Sequence, residues 1–401
     1  MQKSQALLTL NAGSSSLKFA VFDADTTDRR LISGSVERIG LNAAKFQVFD
    51  ETGSKIYASK VPIQTHEQAL HLTLAQLPRY MGNFQMAAVG HRVTHGGPDC
   101  DCPEPVTPTL KARLAGLLHL APLHLPANIA GIDAVEAIRP DLPQIACFDT
   151  AFHNGLPEIA QMTGLPQEFN APELRRYGYH GLSYEYIIAA LRRDGVDVDN
   201  ERILVLHLGN GASICAIRGG KSNETTMGFS TASGLPMGSR SGDIDPGLIE
   251  YLLTKGQLDT AGLRDLLYKH SGLAGLSGFS RNMADLLASP EKAAQRAVAY
   301  YCYHVRRHLA GLTASLGGLD RVVFTGGIGA NAPAVRAAIC TDLTYLGIDL
   351  NSTANLSGDT IISRPNAPVT VEVRLTDEEA MIARHTRAYA ASDEPQQRAV
   401  C

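Results

Sequence analysis

Short apolar runs separated by turns of glycine, serine and asparagine recur along this chain. Ala6–Leu10 and Leu17–Phe22 lie on either side of the polar segment 11–16, which predicts two strands joined by a hairpin turn. About 200 residues later, Arg202–Leu208 and Ile214–Ile217 flank the turn 209–213 in the same way. Because both units show strand, glycine-rich turn and strand in the same order, the pattern indicates an internal duplication.

A different pattern predicts a strand that enters a helix through glycines. Arg321–Thr325 is apolar, Gly326–Gly329 would form the turn, and Ala330–Cys340 has helical character. Strand, glycine turn and helix are typical of an α/β sheet. Apolar residues at intervals of three and four predict further helices at Ala127–Ile138, Tyr184–Arg193, Pro290–Leu316 and Thr376–Tyr389.

The end of the chain shows a helix start signal and then a polar tail. Thr376 is the predicted start of the last helix, with Glu378 and Glu379 in its first turn, as helix capping favours. Ser392–Cys401 is expected to fray. The length of 401 residues favours two or three domains, and we expect a compact hinge near residue 150 because no low-complexity linker occurs.

Charge and composition narrow the function classes. Lys and Arg total 36 against 40 Asp and Glu, a net charge of −4 without a long like-charge block, so nucleic acid and anionic membrane surfaces are not expected partners. Glycine accounts for 37 of 401 residues, about 9% against a usual ~7%, which suggests backbone loops close to a ligand. A small-molecule partner is the expectation.

Cysteine usage and apolar runs predict a cytoplasmic protein. The seven cysteines form an odd set without a spaced framework, which favours a reducing compartment. The apolar run near the N-terminus is shorter than the ~7–15 residues of a signal-peptide core, and no stretch approaches the ~18 apolar residues of a membrane span. We therefore expect a soluble, unprocessed chain.

The glycine turns suggest phosphate binding, although standard motifs fit poorly. Backbone N–H groups and short hydroxyls of two hairpin turns could bind a polyphosphate. Gly220-Lys221-Ser222 ends like a P-loop, but Cys215 stands where its first glycine is required. The segment 327–332 fits a loose dinucleotide fingerprint with Asp349 beyond it, which leaves a dehydrogenase as a weak alternative.

Two other catalytic motifs are disfavoured. His91 and His95 have the spacing of a zinc protease helix, but Arg92 occupies the place of its glutamate base. His95-Gly96-Gly97 is like an esterase oxyanion loop, yet the chain has no Gly-x-Ser-x-Gly sequence. A zinc enzyme and an acyl-serine hydrolase are therefore not expected.

Single polar residues stand at the ends of apolar segments, and together they suggest a chemistry. They are Arg92, His124, Asp149, His180 and Arg240. Two arginines, two histidines and one carboxylate would suit a cationic pocket around a metal-bound phosphate, as phosphoryl transfer requires.

Long blocks of the sequence, in order, resemble the acetate kinase family from residue 7 to about 390. These blocks are NAGSSSLKFAVFD, GHRVTHGG, PLHLPANI, FDTAFH, RRYGYHG, HLGNGAS, MGFSTASGLPMGSRSGDIDPG and FTGGIGAN. The resemblance implies a duplicated actin-like, ribonuclease H-like α/β fold with two domains around a nucleotide cleft. It places the first domain at residues 1–150, completed by a C-terminal helix at 385–401, and the second, with the nucleotide-binding loops, at residues 151–384.

The same resemblance implies the activity and its catalytic residues. ATP would be the co-substrate with Mg²⁺ or Mn²⁺, the acceptor would be acetate, and the protein would be a homodimer. Arg92 and Arg240 would bind the carboxylate and the phosphoryl oxygens, and His180 would donate a hydrogen bond to the transferring group. His124 would lie near that group, and Asp149 would position Mg²⁺ or substrate.

The binding residues are implied in the same way. Asn11 and Glu378 are the expected metal residues. The substrate pocket would consist of Arg92, Thr94, Leu123, Tyr179 and Thr231. The residues expected to bind ATP are Ser16, Lys18, His207, Leu208, Gly209, Asn210, Gly211, Asn282, Met283, Ala284, Gly327, Ile328, Gly329 and Asn331.

Departures from the family pattern leave the substrate open. Thr94, Tyr179 and Thr231 stand where the family usually has valine, phenylalanine and proline, so propionate or butyrate is an alternative acceptor. Asn282 and Ala284 replace an aspartate and an arginine, which leaves the nucleotide preference open. A nucleotide-gated actin-like scaffold is the alternative from another class, and it would not need Arg92, Arg240 and His180.

Overall fold

The structure is a computed structural model that describes residues 4–13, 15–26, 28–41, 43–169, 171–256 and 258–390. The described residues form two compact units, one within Met1–Asn154 and Asp377–Cys401, here unit 1, and one within Gly155–Thr376, here unit 2. The domain limits drawn from the sequence stay a prediction. The expected frayed tail and the end of the expected helix 385–401 lie outside the described residues.

Thirteen strands occur in the described chain. In chain order they are β1 (Ser4–Ala12), β2 (Ser16–Asp23), β3 (Arg30–Glu37), β4 (Ala44–Asp50), β5 (Lys55–Val61), β6 (Phe84–Val93), β7 (Glu104–Pro105), β8 (Gln144–Phe148), β9 (Ile203–Leu208), β10 (Ala212–Arg218), β11 (Lys221–Thr225), β12 (Arg321–Thr325) and β13 (Thr370–Val373).

The α-helices of the described residues range from one turn to seven. In chain order they are α1 (His66–Gln76), α2 (Pro108–Gly116), α3 (Leu125–Ile138), α4 (Glu158–Gln161), α5 (Gly181–Arg193), α6 (Pro246–Thr254), α7 (Thr260–Lys269), α8 (Gly272–Ser277), α9 (Met283–Ala288), α10 (Lys292–Leu316), α11 (Gly326–Asn331), α12 (Pro333–Cys340), α13 (Ser352–Ser357) and α14 (Glu378–Ala390). None of these helices is long and apolar enough to cross a membrane.

Both units are built on the same pattern of strands. The sheet of unit 1 has the order β5-β4-β3-β2-β1-β6-β8-β7, and the sheet of unit 2 has the order β11-β10-β9-β12-β13. In each, a first strand (β1 or β9) pairs antiparallel with its hairpin partner and parallel with a later strand (β6 or β12). A second parallel strand follows, β8 or β13. The predicted duplication is confirmed in this shared strand order.

The two faces of the unit 1 sheet are covered by different helices. Val89 on β6 packs in one apolar cluster with Leu70 of α1 and Val135 of α3. Gly90 faces the other side because side chains alternate along a strand. A Cβ built on Gly90 would collide with Thr386 Oγ1 and Ile382 Cγ2, both on α14. Glycine at this position therefore lets α14 lie close against the sheet.

The core of unit 2 lies between its sheet and α10. The buried positions of α10 are spaced by three and four residues, as the sequence predicts: Ala294, Ala297, Tyr301, Val305, Leu309, Leu312 and Leu316. They join Leu204 and Leu206 of β9 and Val322 of β12 in one cluster. Burial of this apolar face stabilises the unit at about 25 cal/mol per Å² of surface removed from water.

Most predicted elements are confirmed, and several boundaries are corrected, including the starts of α5 at Gly181 and of α10 at Lys292. Gly326–Gly329 is not an open turn but the start of α11, and Pro333 begins a separate helix, α12. Proline fixes its own backbone for a first turn and cannot donate, which explains the break. The last helix is capped by Asp377 rather than Thr376, since Asp377 Oδ1 accepts from the Ala380 N–H at 2.9 Å. Helix α3 starts at Leu125, so that Pro126 falls in its first turn.

Candidate active site

Three predicted residues meet at one edge of the unit 1 sheet. Asn11 lies near the end of β1, Arg92 near the end of β6, and Asp149 directly after β8. These strands are neighbours and run parallel, and ligands of such sheets bind at the carboxyl ends of the strands. Each of these polar residues comes at the end of an apolar strand, so the ends of the three strands bring them to the same edge of the sheet.

Arg92 is fixed by a carboxylate, an amide and a second carboxylate. Its Nε lies 3.0 Å from both carboxylate oxygens of Asp149, and its Nη2 also donates to Asp149. Its Nη1 lies 3.1 Å from Asn11 Oδ1 and 3.6 Å from Glu378 Oε2. The Asp149 side chain is 1% exposed, whereas that of Arg92 is 22% exposed. Asp149 and Asn11 therefore fix the guanidinium, while part of the Arg92 side chain remains accessible to solvent.

Burial and charge act in opposite directions on this pair. Burial lowers the pKa of Arg92, but the charges of Asp149 and Glu378 outweigh it and raise that pKa above its ordinary value. Burial raises the pKa of Asp149, and the charge and hydrogen bonds of Arg92 oppose the rise. An ionised carboxylate is the form that accepts N–H donors on both oxygens. Arg92 is thus a permanent cation at this edge.

Asn11 and Glu378 form the predicted metal group. Asn11 Nδ2 lies 3.5 Å from Glu378 Oε2, at the start of α14. Among the described residues, no group of three or more His, Cys, Asp and Glu side chains could hold a metal ion. Mg²⁺ commonly binds through one or two protein oxygens together with waters and phosphates. The Glu378 carboxylate is a ligand of the kind that suits a phosphate-bound Mg²⁺, whereas Asn11 Oδ1 accepts from Arg92 and the Asn11 amide nitrogen faces Glu378.

The first hairpin turn brings Lys18 and Ser16 beside this group. Lys18 pairs with Asn11 across the β1–β2 ladder and is exposed. The main-chain oxygen of Ser16 accepts from Gly13 N at 2.8 Å.

Glu379 is a further charged residue near this group, and it was not predicted from the sequence as a site residue. Burial and the neighbouring Glu378 raise its pKa, and Lys18 opposes that rise.

Thr94 is fixed by an asparagine of α3. The Thr94 N–H donates to Asn128 Oδ1 at 3.0 Å, and Asn128 Nδ2 donates to the main-chain oxygen of Ala12 at 3.2 Å. Leu123 and His124 directly precede α3 and are half-buried. The Asn128 N–H also donates to the main-chain oxygen of His124 at 3.2 Å, so the first turn of α3 connects His124 to the residue that holds Thr94. Asn128 was missed as a site residue, although it lies in the block PLHLPANI.

Two histidines stack at the glycine turn of unit 2. The rings of His180 and His207 have centroids 4.3 Å apart and planes inclined by 18°. His180 Nδ1 lies 2.8 Å from Ser213 Oγ, and His207 Nδ1 lies 2.8 Å from Ser183 Oγ. His180 has a left-handed backbone, with φ of 61°. Such a conformation is uncommon outside glycine and is enriched at functional sites.

Arg240 lies at the same turn. A Cβ built on Gly211 would be 3.2 Å from His180 Nε2 and 3.7 Å from Arg240 Nη1, so both side chains flank this glycine. Arg240 Nη1 also donates to the main-chain oxygen of Thr231 at 3.0 Å. Tyr179 is buried, and its hydroxyl donates to the main-chain oxygen of Phe229 at 2.9 Å. A cationic group thus faces the Gly209–Gly211 turn.

The start of α11 lies beside the same turn. A Cβ on Gly209 would be 4.0 Å from Gly327 N and 3.8 Å from His207 Nε2. A Cβ on Gly326, with φ of 75°, would lie 2.6 Å from the main-chain oxygen of Leu208, so only glycine fits there. The start of α11 and the 209–211 turn are thus held in close backbone contact.

The remaining predicted nucleotide residues lie around this turn. The Gly238 N–H donates to the Asn210 main-chain oxygen at 3.0 Å, and a Cβ on Gly238 would be 3.2 Å from the Arg281 oxygen, next to Asn282. Met283 is 4% exposed and lies in the core, so only its main chain is available. Ala284 and Asn331 are exposed, and Ile328 packs partly on the core.

The structure therefore groups the predicted residues within each unit. In unit 1 the group is Asn11, Arg92, Asp149 and Glu378, with Thr94 and Lys18 adjacent. In unit 2 the group is His180, His207, the 209–211 turn, Arg240 and Gly327. The missed neighbours are Asn128, Ser183, Ser213 and Tyr184, and the sequence signal for Ser213 was the turn HLGNGAS.

Known proteins show strong similarity over nearly the whole chain. The sequence model of the Acetokinase family matches residues 6–384. The acetate kinase of Rhodopseudomonas palustris is 45% identical over 389 residues, which cover 95% of this chain and 98% of that protein. The crystal structure of Porphyromonas gingivalis acetate kinase superposes with a TM-score of 0.85 at 36% identity, covering 96% of this chain and 99% of its own. A propionate kinase from Francisella tularensis gives a TM-score of 0.88 at 33% identity, covering 95% and 98%.

Fold and matches together define a phosphotransferase with a duplicated α/β fold. The expected fold class, a duplicated actin-like α/β fold, is confirmed by the two sheets of shared order and by the superposition on a solved acetate kinase. The chain belongs to the acetokinase family. The resemblance found in the sequence blocks is thereby confirmed, and the enzyme class that it implied is that of this family.

Proposed function

We propose that this protein transfers the γ-phosphoryl group of ATP to acetate, reversibly, giving acetyl phosphate and ADP. The observation that carries the proposal is the fixed and accessible Arg92 guanidinium, held by Asp149 at the carboxyl edge of the sheet. A permanent cation there is suited to a small carboxylate. The family match and the glycine turn of unit 2 support the nucleotide as the second substrate.

Acetate needs alignment and charge neutralisation rather than a general base. The pKa of a simple carboxylic acid lies well below 7, so acetate is already ionised at neutral pH. Arg92 binds and orients this carboxylate, and Asp149 orients Arg92. Direct in-line attack on the γ-phosphorus then depends on holding the reacting atoms close and in line.

The phosphoryl group is bound by residues of unit 2. Arg240 neutralises its equatorial oxygens, and His180 Nε2 donates a hydrogen bond to the transferring group. Both side chains flank Gly211, where backbone N–H groups reach phosphate oxygens. His207, with its ring stacked on His180, and the 208–211 turn bind the β- and γ-phosphates, together with Ser16 and Lys18. His124 lies near the transferring group.

The remaining parts of the Mg-ATP substrate are its adenosine and its metal ion. The adenosine is bordered by residues of two segments, namely Asn282, Met283, Ala284, Gly327, Ile328, Gly329 and Asn331. Asn11 and Glu378 bind Mg²⁺, for which Mn²⁺ is a substitute. When bound, the ion neutralises phosphate charge that would otherwise repel the incoming carboxylate.

A propionate kinase is the second candidate within this reaction class. The match to the propionate kinase of Francisella tularensis favours it, and Thr94, Tyr179 and Thr231, which differ from the residues usual in the family, leave the acceptor open. The Tyr179 hydroxyl already donates to Phe229, so Tyr179 offers the pocket a ring rather than a free polar group. One methylene is worth only ~1–3 kcal/mol of discrimination, so both acids could react.

Hydroxylamine trapping of the acyl phosphate tests the proposal. Purified protein with Mg-ATP is supplied with acetate, propionate or butyrate, and the acyl hydroxamate is measured. We expect strong, ATP-dependent trapping with acetate and weaker trapping with the longer acids. Trapping with propionate alone would select the second candidate. No trapping with any acid, by folded protein that binds ATP, would contradict both.

The oligomeric state and the cellular compartment are proposed from the resemblance to the family. We include in the proposal that the protein is a cytoplasmic homodimer. Six cysteines of the described chain are buried and form no disulfide, as is typical of a reducing compartment. Large apolar side chains of unit 2 are exposed on α6 and α10, namely Leu248, Tyr251, Tyr300 and Tyr303, and exposed apolar groups of this kind mark association surfaces.

A further inference from the structure

A series of hydrogen bonds leads from a buried tyrosine to His180. Tyr184 lies one turn after His180, on α5, and its hydroxyl forms a short hydrogen bond with Ser213 Oγ on β10. The same Ser213 oxygen lies 2.8 Å from His180 Nδ1. Tyr184 and Ser213 are both 0% exposed. The serine hydroxyl therefore connects the tyrosine and the histidine within the interior of unit 2.

The direction of these hydrogen bonds follows from burial. Burial raises the pKa of Tyr184 well above its ordinary value, so the phenol keeps its proton. In the proposal below, the Tyr184 hydroxyl donates to Ser213 Oγ, an acceptor within hydrogen-bond distance. Ser213 then directs its own hydrogen to His180 Nδ1. A neutral imidazole that accepts at Nδ1 carries its proton on Nε2.

The Nε2 atom of His180 points towards the proposed phosphate-binding turn. A Cβ built on Gly211 would lie 3.2 Å from it, which places Nε2 directly beside the turn backbone. A hydrogen on Nε2 could therefore be donated to a bound phosphoryl oxygen. The other tautomer would present a lone pair to an anion, which is repulsive.

We propose that Tyr184 and Ser213 are positioning residues, which fix His180 as the Nε2-protonated tautomer and so direct its N–H to the transferring phosphoryl group. The inference rests on the proposed function, since it concerns the same reaction. Neither residue touches substrate. Both act through His180.

The neighbouring histidine shows a similar geometry. Ser183 Oγ lies 2.8 Å from His207 Nδ1, and a Cβ on Gly209 would lie 3.8 Å from His207 Nε2. Both stacked rings therefore turn Nδ1 to a serine hydroxyl and Nε2 to the glycine turn. Only one of these two serines, Ser213, has a described hydrogen bond to a tyrosine hydroxyl, that of Tyr184.

The experiment reads the tautomer directly. Full-length protein labelled with ¹⁵N-histidine is studied by long-range ¹H–¹⁵N NMR at pH 8, and the His180 signals are assigned by their loss in His180→Gln. We expect the Nε2–H pattern in the wild-type protein. In Tyr184→Phe, which removes only the hydroxyl, we expect a mixture of tautomers and a kcat lowered on the order of tenfold, with the KM for ATP little changed.

Two further variants make the result specific. Ser213→Ala removes the connection itself and should change the tautomer in the same direction as Tyr184→Phe. Tyr177→Phe is the matched control, because Tyr177 is also buried and its hydroxyl donates to the Glu173 main-chain oxygen at 3.0 Å. It should leave the His180 pattern and kcat unchanged.

Two results would overturn the proposal. One is an Nδ1–H pattern for His180 in the wild-type protein, which needs no variant to fold. The other is a Tyr184→Phe protein that matches Tyr177→Phe in both tautomer and kcat. Because the NMR pattern requires no turnover, failure of the proposed function would show separately, as absence of acyl phosphate from a protein with Nε2–H on His180.

Discussion

Arg92 Nε lies 3.0 Å from both carboxylate oxygens of Asp149, a residue that is buried at the end of the neighbouring strand. The pair is formed by residues 57 positions apart that adjacent parallel strands bring to one edge. Since both Asp149 oxygens accept from Arg92, our proposal gives Asp149 the role of orienting the arginine that would receive the carboxylate substrate.

Asp149→Asn tests this role. The variant leaves a buried arginine without its main charge partner, which typically costs ~3–5 kcal/mol of stability. It also loosens Arg92, and a misplacement of about 1 Å can lower kcat/KM for acetate by about 10²-fold. Steady-state kinetics and urea unfolding measure the two effects. Asp141→Asn is the control, because Asp141 pairs with Arg139 on the surface, and little change is expected. Unaltered acetate kinetics in Asp149→Asn would refute the orienting role.

Arg240→Ala should remove charge stabilisation of the transferring group. By analogy with arginine fingers, kcat should fall on the order of 10³-fold while the KM for ATP changes little. Arg218→Ala, an exposed arginine on β10, is the control and should retain full turnover. A kcat for Arg240→Ala equal to that of the control would exclude Arg240 from the reaction.

Asn11→Ala and Glu378→Gln should both weaken the use of Mg-ATP. Asn11 Oδ1 and Glu378 Oε2 both lie beside Arg92 Nη1, and loss of one should raise the Mg²⁺ concentration for half-maximal activity roughly tenfold. A Mg²⁺ titration at fixed ATP measures the shift. Asn200→Ala, an exposed asparagine of unit 2, serves as the control. An effect confined to the KM for acetate would argue against the metal assignment.

Thr231→Pro should change the preference between acids. Its main-chain oxygen, which accepts from Arg240, is retained, while the hydroxyl is replaced by an apolar ring that fills more of the pocket. The ratio of kcat/KM for acetate over propionate should rise roughly threefold, within the range of one methylene. Tyr179→Phe should alter the ratio much less, because its hydroxyl is already used by Phe229. An unchanged ratio in Thr231→Pro would remove Thr231 from the pocket.

His91 gives the free energy of unfolding a pH dependence in the acid range. Burial lowers the pKa of His91 to about 4, partly opposed by its hydrogen bond to Gln144. Between pH 6.5 and 4 the unfolded chain therefore binds a proton that the folded chain does not, and stability falls as the pH falls. The shift corresponds to about 3 kcal/mol over this window.

His91→Gln removes that proton uptake and keeps a donor for Gln144. Urea unfolding between pH 7 and pH 4 should show a slope smaller by one proton in this variant. His71→Gln, at an exposed position of α1, should keep the wild-type slope. Equal slopes for His91→Gln and the wild-type protein would show that His91 is not buried neutral.

The fold was largely predictable because its signals are local. Alternating apolar runs and glycine turns marked β1, β2, β9, β10 and β12, and the spacing of apolar residues marked α10. Gly326–Gly329 was harder, since glycines usually break a helix. Their place at the start of α11 depends on close contact with Leu208, which lies more than 100 residues earlier.

The candidate site was predictable as a set of residues but not as a set of contacts. Arg92, Asp149, His180 and Arg240 stood out because each ends or interrupts an apolar segment. Their partners Asn128 and Ser213 lie inside the blocks PLHLPANI and HLGNGAS, but nothing in the local sequence marks which side chain each of them contacts. Only the folded chain shows that Asn128 holds Thr94 and that Ser213 holds His180.

Phosphorus-31 NMR of the working enzyme tests the central claim most directly. Wild-type protein is mixed with Mg-ATP and acetate, and the γ-phosphorus signal is followed over time. The account predicts that it is replaced by acetyl phosphate and ADP in equal amounts, and only when acetate is present. Formation of ADP and inorganic phosphate without acetyl phosphate, or no dependence on acetate, would contradict it.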